Sequence, residues 1–295
     1  MFDAKTEGRK RRDVGLHDVL MITYNRPTYT RLALRRLLDS CDSRMRVWLW
    51  HNGDHQDTLS VVRECSAHPA VHRFHVSEDN QFLTGPTNWF WQHADGQYLS
   101  KVDDDCLLPD GWGERLRRAL DAAPELGVAG CWRFYEEDLD QSLVEKKLVN
   151  LPDGQRLMTH AHVQGSGYVM KRAVVESNGG LRERESFTRW CHRASGAGWL
   201  IGFPYPFVHE EHMDDARSTY YAYRTDEEFL ANMPLSARRF GVRSLEEWRR
   251  RSAWIARQAL EDRRPGYRHL GWRGRIDRGV DRLRTIMRRT EPWRG

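Results

Sequence analysis

Four short apolar runs between residues 18 and 105 each lead into polar residues, and helix-patterned stretches separate them. Asp18-Val-Leu-Met-Ile-Thr-Tyr24 has the pattern of a buried strand with a polar tip. Asn25-Arg-Pro27 breaks it, and Leu32, Leu34, Leu37 and Leu38 follow at helical spacing. Val47-Trp-Leu-Trp50 is a second strand, ending in the tight turn His51-Asn-Gly-Asp54. Asp57 to Cys65 then reads as a helix with Asp57 as its N-cap. Val71 to Val76 is a third strand. Gly85-Pro-Thr-Asn88 opens a helix whose Trp89, Phe90 and Trp91 are assigned to the core rather than to a ligand platform, and Gly96 ends it. Tyr98 to Val102 is a fourth strand, which delivers Asp103, Asp104 and Asp105. This alternation predicts an α/β fold, a parallel sheet covered by helices. Ligands of such sheets bind outside the carboxyl ends of the strands. Thr23-Tyr-Asn-Arg26, His51-Asn-Gly-Asp54 and Asp103-Asp-Asp105 all sit at such ends.

Three adjacent carboxylates repel one another and are tolerated in water or around a neutralising cation. Hard divalent ions such as Mg²⁺ or Mn²⁺ pair one or two protein carboxylates with substrate phosphates. A strand tip carrying Asp-x-Asp therefore suits a metal–diphosphate, although an isolated acidic run is more often a solvated turn. After this tip, Trp112 to Ala123 reads as a helix, Gly127 to Arg133 as a strand, and Leu151-Pro-Asp-Gly154 as a hairpin turn. Gly165-Ser-Gly-Tyr-Val-Met170 is a strand whose small residues point to close approach of backbone or ligand. Lys171 to Asn178 is a short helix ended by Gly179-Gly180. Gly198 to Phe203 is a last strand, leading to Val208-His-Glu-Glu-His-Met-Asp-Asp215.

The length of 295 residues suits one domain of about 200–250 residues plus an appendage. No apolar run approaches the roughly 18 residues of a membrane span, and the polar, basic N-terminus does not read as a secretory signal. Five widely spaced cysteines without a Cys-x-x-Cys pair point to a reduced, cytoplasmic setting. Charge is uneven. Residues 243–295 carry 16 Arg, no Lys and 7 acidic residues, a net +9, which leaves −4 for residues 1–242 of the overall +5. Three segments follow: a basic flexible arm (1–16), a main α/β domain (17–242) and a basic helical extension (243–295). In the extension, Ser244-Leu-Glu-Glu247 has capping-box spacing, and a helix is expected to about Leu260. A second helix places Trp272, Ile276, Val280, Leu283 and Met287 on one face among arginines. It is read as packing on the catalytic domain or a second subunit, or as lying on an anionic membrane surface. Nothing else in the sequence supports nucleic-acid binding.

Together these pieces resemble the family 2 glycosyltransferases. Val19-Leu-Met-Ile-Thr-Tyr-Asn-Arg26 is similar to the family's first strand and loop, and His51-Asn-Gly-Asp54 to its second-strand motif. Asn80 with Gly85-Pro-Thr-Asn88 is similar to the segment before the metal strand, and Val102-Asp-Asp-Asp105 to the metal motif. Gly165-Ser-Gly-Tyr168 and Gly179-Gly-Leu-Arg-Glu183 are similar to the acceptor-side strand and loop. The resemblance implies the GT-A fold, a Rossmann-like, mostly parallel sheet sandwiched by helices, here with a C-terminal helical extension. It implies a hexosyltransferase-type enzyme that takes a UDP-, dTDP- or GDP-linked sugar to a glycan, lipid-linked or small-molecule acceptor, with Mn²⁺ or Mg²⁺. It assigns Thr23, Tyr24, Asn25, Arg26, Asn52, Asp54, Asn88, Asp103 and Asp104 to the donor, and Asp105 and His209 to the metal, with His212 as the competing histidine.

The family often shows Glu-Asp before a helix, the Asp being the base of an inverting transfer. Here Glu185 is followed by Ser186, so Glu185 takes that role, with Asp214 and Asp215 as alternatives. Two other functions are weighed. A sugar nucleotidyltransferase would want a glycine-rich phosphate loop after the first strand, where this chain has Thr23-Tyr-Asn-Arg-Pro27. A non-catalytic sugar- or nucleotide-binding protein on the same scaffold differs by the absence of donor turnover.

Overall fold

The computed structural model describes residues 15–262, so residues 1–14 of the basic arm and the second helix of the extension lie outside the described residues. In chain order the elements are β1 (His17–Thr23), α1 (Pro27–Asp39), β2 (Met45–Asn52), α2 (Gln56–Cys65), β3 (Val71–Ser77), α3 (Thr84–His93) and β4 (Tyr98–Asp103). There follow β5 (Cys106–Leu107), α4 (Trp112–Ala122), β6 (Leu126–Gly130), α5 (Gln141–Glu145), β7 (Leu148–Asn150), β8 (Arg156–Thr159) and β9 (Tyr168–Lys171). The last are α6 (Arg172–Asn178), α7 (Phe187–Gly196), β10 (Leu200–Tyr205), β11 (Glu211–His212), α8 (Asp226–Ala231), α9 (Leu235–Arg239) and α10 (Leu245–Glu261).

Nine strands form one sheet in the order β3-β2-β1-β4-β9-β6-β10-β8-β7. β1 pairs in parallel with β2 and β4, β2 with β3, and β6 with β10. The expected parallel half is therefore present. β9 runs antiparallel between β4 and β6, and the β7–β8 hairpin around Leu151-Pro-Asp-Gly154 closes the far edge.

The period of two along the strands builds a three-layer molecule. Val19, Met21, Val47 and Leu49 face one layer with Leu34 and Leu37 of α1, Val62 of α2, and Trp112 and Leu116 of α4. Leu20, Ile22, Trp48 and Trp50 face the other, with Phe90 and Trp91 of α3, Val174 of α6, Trp190 of α7, and Ala256 and Leu260 of α10. Phe90 and Trp91 are thus core, while the half-buried Trp89 packs beside Trp48, Trp50 and His75. The first helix of the extension packs on the same core as the sheet. A third apolar cluster gathers Tyr221, Phe229, Leu245 and Trp248 beneath it.

One buried carboxylate locks the start of the sheet. Asp18 is fully buried and accepts bonds from Arg46 (Nε, 2.8 Å), the Trp48 indole (2.9 Å) and the Gly96 amide (2.8 Å). A Cβ at residue 96 would stand 2.8 Å from that carboxylate, so the glycine there provides the room. The α2 N-cap differs from expectation. His55, not Asp57, fills it, its Nδ1 accepting from the Thr58 amide.

Candidate active site

The rim at the carboxyl ends of β1, β2 and β4 gathers the polar tips as expected, but their side chains divide between bracing the rim and facing its opening. Asn25 adopts φ +50°, a left-handed turn that asparagine tolerates. That turn sends the chain from β1 into α1 and sets Arg26 before Pro27, the first residue of the helix. Asp104 is buried beneath this turn. Its Oδ2 accepts from the Tyr24 amide (3.2 Å) and the Thr30 hydroxyl (3.0 Å). Burial, with the neighbouring Asp105 charge, pushes its carboxyl up to about 7. Asp103 pairs with Lys101, and its amide donates to the Ser166 hydroxyl at 3.0 Å.

Asp105 stands at the centre. After it the chain forms the two-residue β5, which pairs antiparallel with β11 so that Cys106 lies opposite His212. That pairing carries the imidazole across to the aspartate, with His212 Nε2 4.0 Å from Asp105 Oδ1. On the other side, Arg26 Nη1 donates to Asp105 Oδ2 at 3.0 Å while its Nη2 donates to Asp214. Burial opposes the Asp105 charge, but His212 in its protonated form and Arg26 outweigh it and hold the carboxyl below its usual range. Asp214, more deeply buried and beside Asp105, is pushed up. The Cys106 thiol donates to Asp105 Oδ1 at 3.3 Å; burial first, then Glu210 and Asp105, push it well above its usual value, so it stays protonated.

Asp105, Cys106 and His212 each place one donor atom within 4.8 Å of the others. The protonated thiol is a poor ligand, whereas a carboxylate oxygen and a neutral imidazole nitrogen suit Mn²⁺ or a similar ion whose remaining positions go to diphosphate and water. The donor set therefore fits the implied metal. His209 lies elsewhere, exposed and 6.0 Å ring to ring from Tyr135.

Several predicted donor residues are occupied in bracing. Asn52 accepts from the Trp50 indole (3.0 Å) and the Gln81 amide (3.0 Å), and donates to the Phe82 carbonyl (3.1 Å). Asn88 clasps the Leu181 backbone, donating to its carbonyl and accepting from its amide, both at 2.8 Å. Thr23 bonds His51 Nδ1 at 2.9 Å. Tyr24 and Asp54 are exposed at the rim. Asp215 is held by Arg217 (2.8 and 3.0 Å). Glu185 receives both Arg193 Nη2 (2.8 Å) and Nε (3.2 Å), and also the Arg182 amide. Ser186 is the N-cap of α7, accepting from the Arg189 amide.

Sequence reasoning missed Glu210. It is buried beside the Cys106 thiol and the Ser166 hydroxyl, both of which favour its charged form. Burial pushes it up to about 7, so much of it is neutral near physiological pH. Gly167 makes way for this side chain: it has φ +59°, and a Cβ there would fall 1.8 Å from Glu210 Oε2. The signal was available as two adjacent acids, Glu210-Glu211, two residues after the apolar Val208.

Many solved structures share this architecture, among them the following three. The mannosyltransferase PcManGT from Pyrobaculum calidifontis, in complex with GDP-Man and Mn²⁺, is 17% identical, with a TM-score of 0.57 over 97% of this chain and 86% of its own. S. aureus TarS 1-349 with UDP-GlcNAc is 15% identical, with a TM-score of 0.52 over 80% of this chain and 71% of its own. GalNAc-T7 with UDP, GalNAc and Mn²⁺ is 11% identical, with a TM-score of 0.50 over 67% and 43% of the two chains. The fold is therefore GT-A. No curated protein sequence matches significantly. No helix among the described residues is long and apolar enough to cross a membrane. The sequence profile of Glycosyl transferase family 2 matches residues 18–177, more than half of the chain, and the chain belongs to that family.

Proposed function

We propose that this glycosyltransferase moves a hexosyl group from a nucleotide-diphospho-sugar to an acceptor hydroxyl, with a divalent cation held by Asp105 and His212. The observation that carries this reading is the β5–β11 pairing, which sets one carboxylate and one imidazole 4.0 Å apart at the strand-tip rim. The cation, when bound, offsets the charge that develops on the departing diphosphate. Arg26 lies against Asp105 and Asp214 and adds a fixed positive charge beside the same place. Exposed Tyr24 and Asp54, with Asp103, form the donor-facing rim in this reading. The neighbours support the donor class: one is bound to GDP-Man, one to UDP-GlcNAc, and two carry Mn²⁺. They differ in base, so UDP-, dTDP- and GDP-sugars are all to be tried.

Glu185 is the acceptor-side carboxylate of an inverting transfer in this reading. Tied to Arg193, it is a weak base, and taking a proton from an acceptor requires that pair to open as the acceptor arrives.

The test is donor turnover, sugar released to water or transferred, for UDP-, dTDP- and GDP-hexoses with Mn²⁺, Mg²⁺ or chelator. Metal-dependent turnover that falls in both Asp105→Asn and His212→Ala supports the reading. Turnover equal in chelator, or unaffected by His212→Ala, overturns the metal assignment. Turnover lost in Glu185→Gln with donor affinity intact supports the base; if Glu185→Gln and Arg193→Gln lower only stability, the pair is a loop brace.

A further inference from the structure

One carboxylate at the rim has two claims on it. Asp105 Oδ1 lies 4.0 Å from His212 Nε2, the pair assigned above to the cation, while Asp105 Oδ2 accepts from Arg26 Nη1 at 3.0 Å. The same guanidinium reaches on to Asp214 through Nη2, so it bridges two carboxylates. Of these partners Asp214 is the deeper, its side chain 6% exposed against 12% for Asp105, while the Arg26 side chain is 29% exposed.

The surroundings of Arg26 let it change anions. It is the N-cap of α1, but its side chain makes no capping bond, so the helix start does not depend on where the guanidinium points. The guanidinium carbon lies 4.6 Å from the centre of the Tyr29 ring. That ring is pinned at its hydroxyl, which donates to the Met213 carbonyl (3.3 Å) and accepts from the Ala222 amide (3.0 Å). A planar cation over a fixed ring keeps its stacking as it turns.

Charge makes the two claims exclusive. Burial works against the guanidinium charge, but Asp214 and Asp105 outweigh it, so Arg26 stays ionised. A divalent ion on one oxygen of Asp105 and a guanidinium on the other repel each other at close range, where little water screens them. New anionic oxygens that take over the guanidinium relieve this repulsion. A diphosphate offers them in the paired geometry that arginine matches best. We propose that Arg26 makes cation binding at Asp105 conditional on the donor: it holds Asp105 until a diphosphate arrives, then turns about Asp214 onto the diphosphate and leaves Asp105 to the ion. This rests on the reading of Asp105 and His212 as the metal residues. Diphosphate and cation then tighten each other's binding by one and the same factor.

The experiment measures the Mn²⁺ affinity of the full chain from the paramagnetic resonance signal of unbound Mn²⁺. It is run without nucleotide and with saturating UDP, dTDP or GDP, corrected for Mn²⁺ held by the nucleotide in solution. In the wild type at least one diphosphate should tighten Mn²⁺ binding about 10–100-fold. Arg26→Met should bind Mn²⁺ more tightly than the wild type without nucleotide, and the nucleotide effect should shrink by the same factor. Circular dichroism reports folding. If Arg26→Met misfolds, Arg26→Gln, which keeps a hydrogen-bonding group between the carboxylates without the charge, decides by the same criterion. With Mn²⁺ binding lost in Asp105→Asn, an affinity without nucleotide that is equal in wild type and variant overturns this inference alone. So does a tightening that is equal with and without nucleotide, since that is the loss of a nearby charge and not a change of partner. Mn²⁺ binding that survives Asp105→Asn, or no binding with any of the three diphosphates, overturns the metal reading and this inference together.

Discussion

The Asp105 cluster and the His160 cluster both form where distant parts of the chain meet, yet they differ in donors and in internal charge. The rim cluster has four carboxylates, Asp103, Asp104, Asp105 and Asp214, and already contains two cations of its own, Lys101 and Arg26. The other cluster has three imidazoles, His160, His162 and His192, and one carboxylate, Asp262. Carboxylates gather at the rim because cations stand among them, whereas the imidazoles of the second cluster are held by backbone carbonyls and by one another. Internal cations let carboxylates gather in a partly buried place before any metal binds.

The largest expected effect is at Asp105. Asp105→Asn should lower kcat by about 10²–10³-fold. Turnover unchanged by the substitution would remove this carboxylate from the reaction. Next is Arg26→Met, which leaves Asp105 and Asp214 facing each other in a buried place and should cost about 3 kcal/mol in urea unfolding. A cost near zero would mean that the carboxylates share a proton instead.

His17 is a buried histidine outside both clusters. Its Nδ1 accepts from Arg117 Nη1 (2.8 Å) and its Nε2 meets the Ser100 hydroxyl, so it folds neutral. Burial first, and then Arg117, lower its pKa. Protonation therefore favours the unfolded chain: the contribution is complete above about pH 6.5 and is lost as pH falls below it, by up to about 1.4 kcal/mol per pH unit. Denaturation of His17→Gln between pH 7 and 5 should show a shallower slope. An unchanged slope would move the acid-sensitive groups elsewhere. The smallest effect is at Trp248, whose indole donates to the Asp214 carbonyl at 2.7 Å from α10. Trp248→Phe should cost about 1 kcal/mol, and a simultaneous rise in the KM for donor would show that α10 links the rim to the far cluster.

The layers were legible because apolar runs and period-two burial are local properties: Val19 to Ile22 reads as a two-sided strand from four letters. The Asp103–Asp105 tip was legible because like charges in sequence are visible without a fold. What decided the roles was not. Arg26 and Asp214 are 188 positions apart, and only the topology shows that they meet. His209 and His212 differ by three positions, and only the register of β11 against β5 presents His212 to Asp105. Asn52 and Asn88 have side chains suited to a ligand, but neighbouring backbone occupies them. α7 was overlooked because arginine, histidine and glycine interrupt it. Its Trp190, Cys191 and Ala194 nevertheless lie on one buried face, and Ser186, where the family often has an acid, caps its first turn.

The β5–β11 ladder is two residues on each side and joins segments more than a hundred positions apart. Closing so long a loop for so few bonds is unfavourable until the intervening strands have shortened the path. The ladder therefore forms late in folding, after β6, β9 and β10 have joined the sheet. A nascent chain that has emerged only to residue 177, the end of the family match, already carries its three aspartates but has yet to synthesise the histidine that completes the pair. Until then the aspartates remain solvated, and the carboxylate–imidazole pair is among the last features of the rim to be assembled.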